Sequence, residues 1–520
     1  MPTTRPSPPP TPLTSGILGP PPWLLVAALS LITAAVRGVL ARVIGLSVDE
    51  SYAVVMGRHL QLSYYDHPPL TFWMAGLAAR LAGTEDQLVV RGPFILGFAL
   101  TTWLLYRLAA FLFGEAAGVW TAVLLNLVLF FTLPVGGWIL PDGPLLLASA
   151  AAALCLARAT LGPSPGAAGG AWLGFGLSCG LALLAKYHGA FLLAGALLFL
   201  VSSPRRRFWL RRPEPYVAAA AALAVFAPVL VWNARHDWAS FRFQAGRAVP
   251  IEEAQGTPFV DTLLGQAAWI LPWIWIPLLV TFGGALRKGP GDARRWLLAC
   301  LAVSPIVGFT ALTAFGSRGL PHWEAPGYFL LLPLLGVAVA ARRERDAGGV
   351  RLWTWSSAAG SVLVLAALVS HLSTGWVARA APRLLVRGDP TDDLLPWRDL
   401  RDQLSRWGYP SAAAVTAGAS WADAAKIAYT LGPRVPVTCV GGDPRGFQFV
   451  TPQSSLVGRD VLLIARRRPG PEPMVAYAPY FDHIHPLGIF AVSHGHQEAF
   501  QVSVYLGTRL RAPVPPARPR

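Results

Sequence analysis

The chain has 520 residues, of which 54% are hydrophobic and only 13% charged, with 20 tryptophans and a mean hydropathy of +0.47. That excludes an ordinary soluble enzyme, because several apolar runs reach the length needed to span a bilayer. A formal net charge of +16 invites a nucleic-acid partner. The arginines, however, concentrate in short breaks between apolar runs, so the charge is read as setting membrane topology and no nucleic acid is expected.

Residues 1–22 are rich in Pro, Thr and Ser and are expected to form a disordered tail. The first apolar run, Trp23 to Ile44, lacks an A-x-A-like cleavage site and reads as a retained membrane helix with Arg37 and Arg42 toward its far end. Directly after it come Val48-Asp49-Glu50-Ser51-Tyr52 and Tyr64-Tyr65-Asp66-His67-Pro68-Pro69. Adjacent carboxylates where a helix has just left the bilayer are costly, and two readings explain them: a helix cap, or a general base at a membrane-embedded site. Leu70 to Leu81 is apolar but short, which suits a helix lying at the interface.

Further crossings are expected over about Gly92–Phe113, Gly118–Leu133, a fourth from Leu140-Pro141-Asp142-Gly143-Pro144 to Ala159, Tyr216–Trp232, Leu263–Phe282, Trp296–Ala314, Ala325–Ala341 and Leu352–Leu372. The stretch Ala171–Val201 is too long for one span and holds Lys186-Tyr187-His188 near its middle. Basic residues flank it on both sides, so it is expected to go out and return as two short helices with Lys186 at the external turn or lining a cavity. The total is about eleven crossings, with the N-terminus cytoplasmic and the C-terminus external. The opening motif, Asp142, Lys186, the loop Asn233–Asp261, the loop Gly316–Glu324 and the C-terminal region then share the external face.

From about Pro382 the composition shifts to a small α/β domain. Trp397–Trp407 has helical spacing, Ser420 can cap a helix through Leu431, and Ser411–Ala417, Val435–Val440, Val461–Ala465, Gly488–Ser493 and Phe500–Tyr505 are strand-like. It carries no phosphate loop, nucleotide fingerprint or triad spacing. Cys155, Cys179, Cys300 and Cys439 show no paired spacing, so neither a disulfide framework nor a zinc site is expected. His483, His485, His494 and His496 alternate along a strand-like stretch and read as solvated, because no carboxylate or cysteine pattern accompanies them.

The candidate chemistry is an acid facing cations. An inverting glycosyl transfer needs one carboxylate to deprotonate the acceptor hydroxyl, and a phosphate leaving group needs neutralisation rather than strong acid help. Asp49 and Glu50 are the acids. The external cations are His67, Lys186, Arg318, His322 and the loop residues Arg235, His236, Arg242 and Arg247. Each has a bland alternative: snorkelling for Lys186, a turn histidine for His67, a helix cap for Asp142, an aromatic belt for His322-Trp323 and a headgroup-facing amphipathic segment for Arg235–Arg247.

Asp49-Glu50-x-Tyr, Tyr64-Tyr65-Asp66-His67-Pro68-Pro69-Leu70, Pro141-Asp142-Gly143-Pro144, Lys186-Tyr187-His188 and Pro321-His322-Trp323-x-Ala-Pro, in this order, resemble the bacterial branch of the dolichyl-phosphate-mannose–protein mannosyltransferase family, including the lipid A aminoarabinose transferases. The resemblance runs from about Trp23 to Tyr328. It implies a GT-C-like fold: a mainly α, polytopic membrane protein with a transmembrane glycosyltransferase domain over 23–380 and a periplasmic α/β domain over 381–520.

It also implies an inverting transfer from a polyprenyl-phosphate sugar to a lipid, glycan or protein on the external side of the bacterial inner membrane. Asp49 maps to the family's catalytic acid, with Glu50 beside it to orient the acceptor or tune Asp49. Tyr64, His67 and Lys186 are the implied carrier-phosphate set, to which the loop reading adds Arg242, and His67 stands where the aminoarabinose transferases have a lysine. Tyr65, Asp66, Asp142, His188, Arg318 and His322 are further substrate contacts. No cofactor or metal is expected, with a divalent ion left open. A transporter or flippase of lipid-linked sugars is the alternative, disfavoured because the halves show no inverted repeat. A non-catalytic scaffold leaves the acids and Lys186 without a role.

Overall fold

The computed structural model describes residues 20–163, 166, 168–247, 258–315, 319–385, 388–409, 414–467 and 472–515. The expected tail up to residue 19, Arg318 and the first residues of the strand expected from Ser411 lie outside the described residues.

The helices follow the apolar runs: α1 Pro22–Val43, α2 Val48–Gly57, α3 Leu70–Ala82, α4 Gln87–Phe113, α5 Glu115–Leu127, α6 Asp142–Leu161, α7 Ala168–Ala185, α8 Ala190–Ser202, α9 Glu214–Arg235, α10 Ala239–Gly246, α11 Pro258–Ile270, α12 Pro272–Lys288, α13 Ala293–Ala314, α14 Ala325–Arg345, α15 Ala347–Thr374 and α16 Trp376–Ala380. Among the described residues, eight are long and apolar enough to cross a membrane: α1, α4, α6, α7, α9, α13, α14 and α15. A ninth span results if α11 and α12, bent by 106°, count together. The bend sits at Leu271, whose φ of 76° is incompatible with a continuous helix.

The expectation of about eleven crossings is therefore not met by length. The runs taken as the third and sixth crossings fold as α5 and α8, each of 13 residues. Such a helix is about 20 Å long, short of a ~30 Å hydrocarbon core. Beyond α5 the chain passes into a five-residue π-helix, Phe131–Val135, a form that concentrates at functional sites. It is tied to α1 by Arg37, whose buried guanidinium donates to the Thr132 carbonyl at 2.8 Å, the Thr132 hydroxyl at 2.6 Å and Asn126 Oδ1 at 2.9 Å.

The long run Ala171–Val201 breaks where expected. α7 stops at Ala185, Lys186 is extended (φ −157°, ψ 142°), a 3₁₀ turn spans Tyr187–Gly189, and α8 returns. Gly189 is required there, because a Cβ would collide with the backbone of Ala182 and Leu183. α14 lies at the centre of the bundle with 72% of its apolar window buried, whereas α15 buries only 11% and presents Leu352, Trp355, Val362 and Leu363 outward, toward lipid.

The C-terminal region is a mixed sheet with helices: α17 Leu400–Arg406, β1 Ala414–Gly418, α18 Trp421–Leu431, β2 Val437–Cys439, β3 Asp460–Arg466, β4 Phe481–His494 and β5 Gln497–Leu510. The order is β2-β1-β3-β5-β4, with β1 parallel to β2 and β3, and β5 antiparallel to β3 and β4. Ser420 caps α18 by accepting from the Asp423 N–H. One apolar core runs from α2 and α3 into this sheet through Tyr52, Met56, Phe72, Ala424, Ile427 and Leu462, so the domain is packed onto the membrane region.

Candidate active site

Ser47 and Glu50 form a reciprocal capping box at the start of α2, fixing its first turn. Nine of the ten α2 residues are buried, and Asp49 alone has an open surface. That surface faces a cavity of about 1280 Å³ between the helical bundle and the C-terminal domain. Protein surrounds the carboxyl closely, and burial raises it above the usual carboxylate range. Arg445 and, less, Arg247 oppose that rise; Asp393 and Glu50 reinforce it.

Glu50 does not share the cavity. Arg91 clasps its carboxylate with two bonds of 2.7 Å, and the backbone N–H groups of Ser47 and Ile139 donate to it at 2.8 and 3.0 Å. Arg91 also donates to the carbonyls of Ala41, Ile44 and Gly45. The pair is fully buried. Glu50 thus locks the turn that aims Asp49, and the expectation that it meets substrate is corrected.

The second acid-and-base cluster lies across the cavity. Lys186 Nζ sits 2.9 and 3.1 Å from the two oxygens of Asp142, both side chains being buried. Asp142 therefore holds Lys186 rather than capping α6, whose N-terminus has no side-chain cap. His67, His188 and His322 line the same wall. His67 Nδ1 and His188 Nε2 have no hydrogen-bond partner among the described residues, and His322 stacks on Phe130 at 6.1 Å between centroids. Burial, then Lys186 and Arg247, push the His67 imidazole down to about 3; burial and Lys186 bring His322 to about 4. Both rings are therefore neutral at pH 7 and offer N–H groups rather than charge.

Other expected contacts divide. Asp66 lines the cavity and accepts from the Tyr52 hydroxyl at 3.0 Å, with Arg445 Nη1 at 3.9 Å. Tyr64 is buried beneath the site, donating to the His59 carbonyl at 2.9 Å and packing on Phe72. Tyr65 packs on Phe243 and Phe449, outside the lining. Arg242 is exposed and is not part of the cavity lining. The loop arginine that reaches the cavity is Arg247, stacked over Trp323 at 5.2 Å. Sequence reasoning also missed the roof: Pro390, Thr391, Asp393, Trp421 and Arg445 from the C-terminal domain. No local signal could have found it, since these residues are more than 300 positions from Asp49.

One flank is apolar. Phe130, Leu133 and Trp269 face Val364, Leu365 and Leu368 of the lipid-facing helix α15.

His494, read as a solvated strand residue, is in fact buried, and the carboxylates missing from its sequence neighbourhood are supplied by the fold. His371, Asp389 and His494 are the one group among the described residues whose ligand atoms, all within 4.8 Å, could hold a metal. The hydrogen bonds favour protons instead. His371 Nδ1 accepts from the Val377 N–H at 3.2 Å, which leaves the ring proton on Nε2, 2.7 Å from Asp389. Burial lowers the His494 imidazole, but bonds to Asp392 and the Leu372 carbonyl, with Asp389 nearby, raise it overall. The cluster clamps the turn 389–394 that roofs the cavity.

Residues 66–232 match the model of the dolichyl-phosphate-mannose-protein mannosyltransferase family. A lipid A galacturonosyltransferase, RgtD, of Rhizobium johnstonii is 28% identical over 295 residues, 54% of this chain and 58% of that protein. An undecaprenyl phosphate-alpha-4-amino-4-deoxy-L-arabinose arabinosyl transferase of Proteus mirabilis is 30% identical over 142 residues, 27% of this chain and 26% of that one. The chain thus aligns with less than two-thirds of the length of these relatives. The crystal structure of ArnT from Cupriavidus metallidurans in the apo state superposes with a TM-score of 0.66 at 16% identity, over 93% of this chain and 97% of that chain. The chain thus shares the fold of ArnT, and the likeness to the mannosyltransferase family model lies within residues 66–232. The ArnT-like fold covers the helical bundle and the C-terminal sheet together, and the multi-span membrane architecture goes with it.

Proposed function

We propose that the chain is a glycosyltransferase that moves a sugar from a polyprenyl-phosphate carrier to a lipid acceptor at the external face of the bacterial inner membrane, inverting the anomeric centre. The observation that carries this reading is the division of one cavity into an open acid, a cationic wall and an apolar flank. Asp49 takes the proton of the acceptor hydroxyl as its oxygen attacks the anomeric carbon. The bond from that carbon to the carrier phosphate breaks, and the phosphate leaves with the electron pair toward Lys186 and Arg247, while His67 and His322 supply N–H donors. Asp142 holds Lys186 in place until the phosphate arrives. The prenyl chain lies along Val364, Leu365, Leu368 and Trp269. The names of the relatives, lipid A galacturonosyltransferase and aminoarabinose transferase, support a lipid acceptor of the lipid A class and an acidic or amino sugar as donor.

Reconstitution tests it. Purified protein in liposomes, given polyprenyl-phosphate galacturonate or aminoarabinose and lipid A, is expected to yield glycosylated lipid A and free polyprenyl phosphate. Carrier that crosses the bilayer with its sugar still attached would overturn the reading in favour of a flippase.

A further inference from the structure

The turn 443–446 of the C-terminal domain is plugged into the helix that carries Asp49. The Gly446 N–H donates to the Tyr52 hydroxyl at 2.9 Å, and a side chain at Gly446 would collide with that hydroxyl and with Met56. Beside it, Arg445 adopts φ 44°, a left-handed conformation that a side-chain-bearing residue keeps only when its surroundings enforce it. Its guanidinium lies 3.6 Å from the centre of the Trp421 ring, 3.9 Å from Asp66 and 3.5 Å from Asp443, on the cavity wall. Docking on Tyr52 uses the backbone, so the strained arginine has a separate purpose.

We propose that Arg445 is a positioning residue for the transfer: by docking on Tyr52 the C-terminal domain delivers its guanidinium to the cavity wall at the Asp49 end, where its positive charge faces the base that takes the acceptor's proton. This rests on Asp49 being the base. Five groups face Asp49: Arg445 from the turn, Arg247 from the end of α10, Asp66 from the loop before α3, Asp393 from the roof, and Glu50 on its own helix. Asp66 accepts from the Tyr52 hydroxyl and shares Arg445. Glu50 is spent on Arg91. Asp393 is 60% exposed and 3.6 Å from Arg466. Arg247 is stacked over Trp323. Arg445 and Asp49 line the same cavity, and the turn that carries Arg445 is docked on Tyr52, one helical turn after Asp49 on α2; its positive charge opposes the effect of burial on Asp49.

The test compares the wild-type chain with Arg445→Gln, Arg445→Lys and, as a second neutral variant with an unbranched side chain, Arg445→Met. The neutral variants are expected to shift the acid limb of the kcat profile upward by about one pH unit or more, with KM for the carrier sugar unchanged and Arg445→Lys close to wild type. An activity-independent readout is infrared titration of the carboxyl stretch that disappears in Asp49→Asn; its midpoint should rise in the neutral variants. A midpoint and profile identical to wild type would overturn the proposal. Turnover that survives in Asp49→Asn would instead remove Asp49 as the base. An inactive Asp49→Asn together with an unmoved midpoint would remove only Arg445.

Discussion

Replacing Glu50 with alanine strands a fully buried guanidinium. The carboxylate accepts four hydrogen bonds, two from Arg91 and one each from the backbone of Ser47 and Ile139. After the substitution Arg91 keeps only the carbonyls of Ala41, Ile44 and Gly45. Breaking a buried ion pair from one side costs about 3–5 kcal/mol, and the three surviving carbonyl bonds place Glu50→Ala near the lower end, about 3 kcal/mol. Arg91→Met should cost a similar amount, because it leaves a buried carboxylate on two N–H donors. The double variant Glu50→Leu/Arg91→Met removes both charges and should recover most of the loss. The assay is unfolding of the full chain in mild detergent, run as a double-mutant cycle. The double variant should also turn over slowly despite its stability, since the turn aiming Asp49 has lost its anchor. Single variants costing less than about 1 kcal/mol, or a double variant costing the sum of the singles, would refute the reasoning.

Three further outcomes follow from the geometry. Lys186→Met removes the cation proposed to meet the carrier phosphate and should weaken binding of polyprenyl phosphate tenfold or more, on the order of a lost charge-assisted bond; affinity equal to wild type would remove Lys186 from the carrier site. His67 is held neutral down to about 3 in the folded protein, so the unfolded chain binds the extra proton first as pH falls. Stability should therefore drop between about pH 6.5 and 3, and His67→Gln should lose that component in a pH series of unfolding midpoints. Lys426 is buried at the seam between domains, bonded to the carbonyls of Leu46 and Leu395, and burial lowers its ammonium to about 7. Here the unfolded chain holds the proton longer, so stability should rise with pH from about 7 toward 10.5, and Lys426→Met should flatten that rise.

The parts legible in the sequence were those where cost or length forced one solution. Asp49 stood out because a carboxylate beside a membrane helix is expensive, and Lys186 because its flanks are basic on both sides of a run too long for one span. The strands and the Ser420 cap of the C-terminal domain followed from short apolar runs and capping chemistry. The partners were not legible. Glu50 looks identical to Asp49 in sequence, and only Arg91, 41 residues on, makes it structural. Arg242 and Arg247 are five residues apart, which puts them about 140° apart around a helix, so one meets the cavity and the other does not. His494 finds its carboxylates more than 100 residues away. The count of about eleven crossings is not confirmed by helix length for a different reason: apolar runs show composition but not where a helix stops, and α5, of 13 residues, ends ahead of a π-helix.

The most direct test of the account is mass spectrometry of envelope lipids from a strain lacking the chain, complemented with wild type or with Asp49→Asn. The account predicts a glycosylated lipid A species that is absent in the deletion, restored by wild type and still absent with Asp49→Asn at equal protein level. Restoration by Asp49→Asn, or a lipid profile unchanged by the deletion, would contradict it.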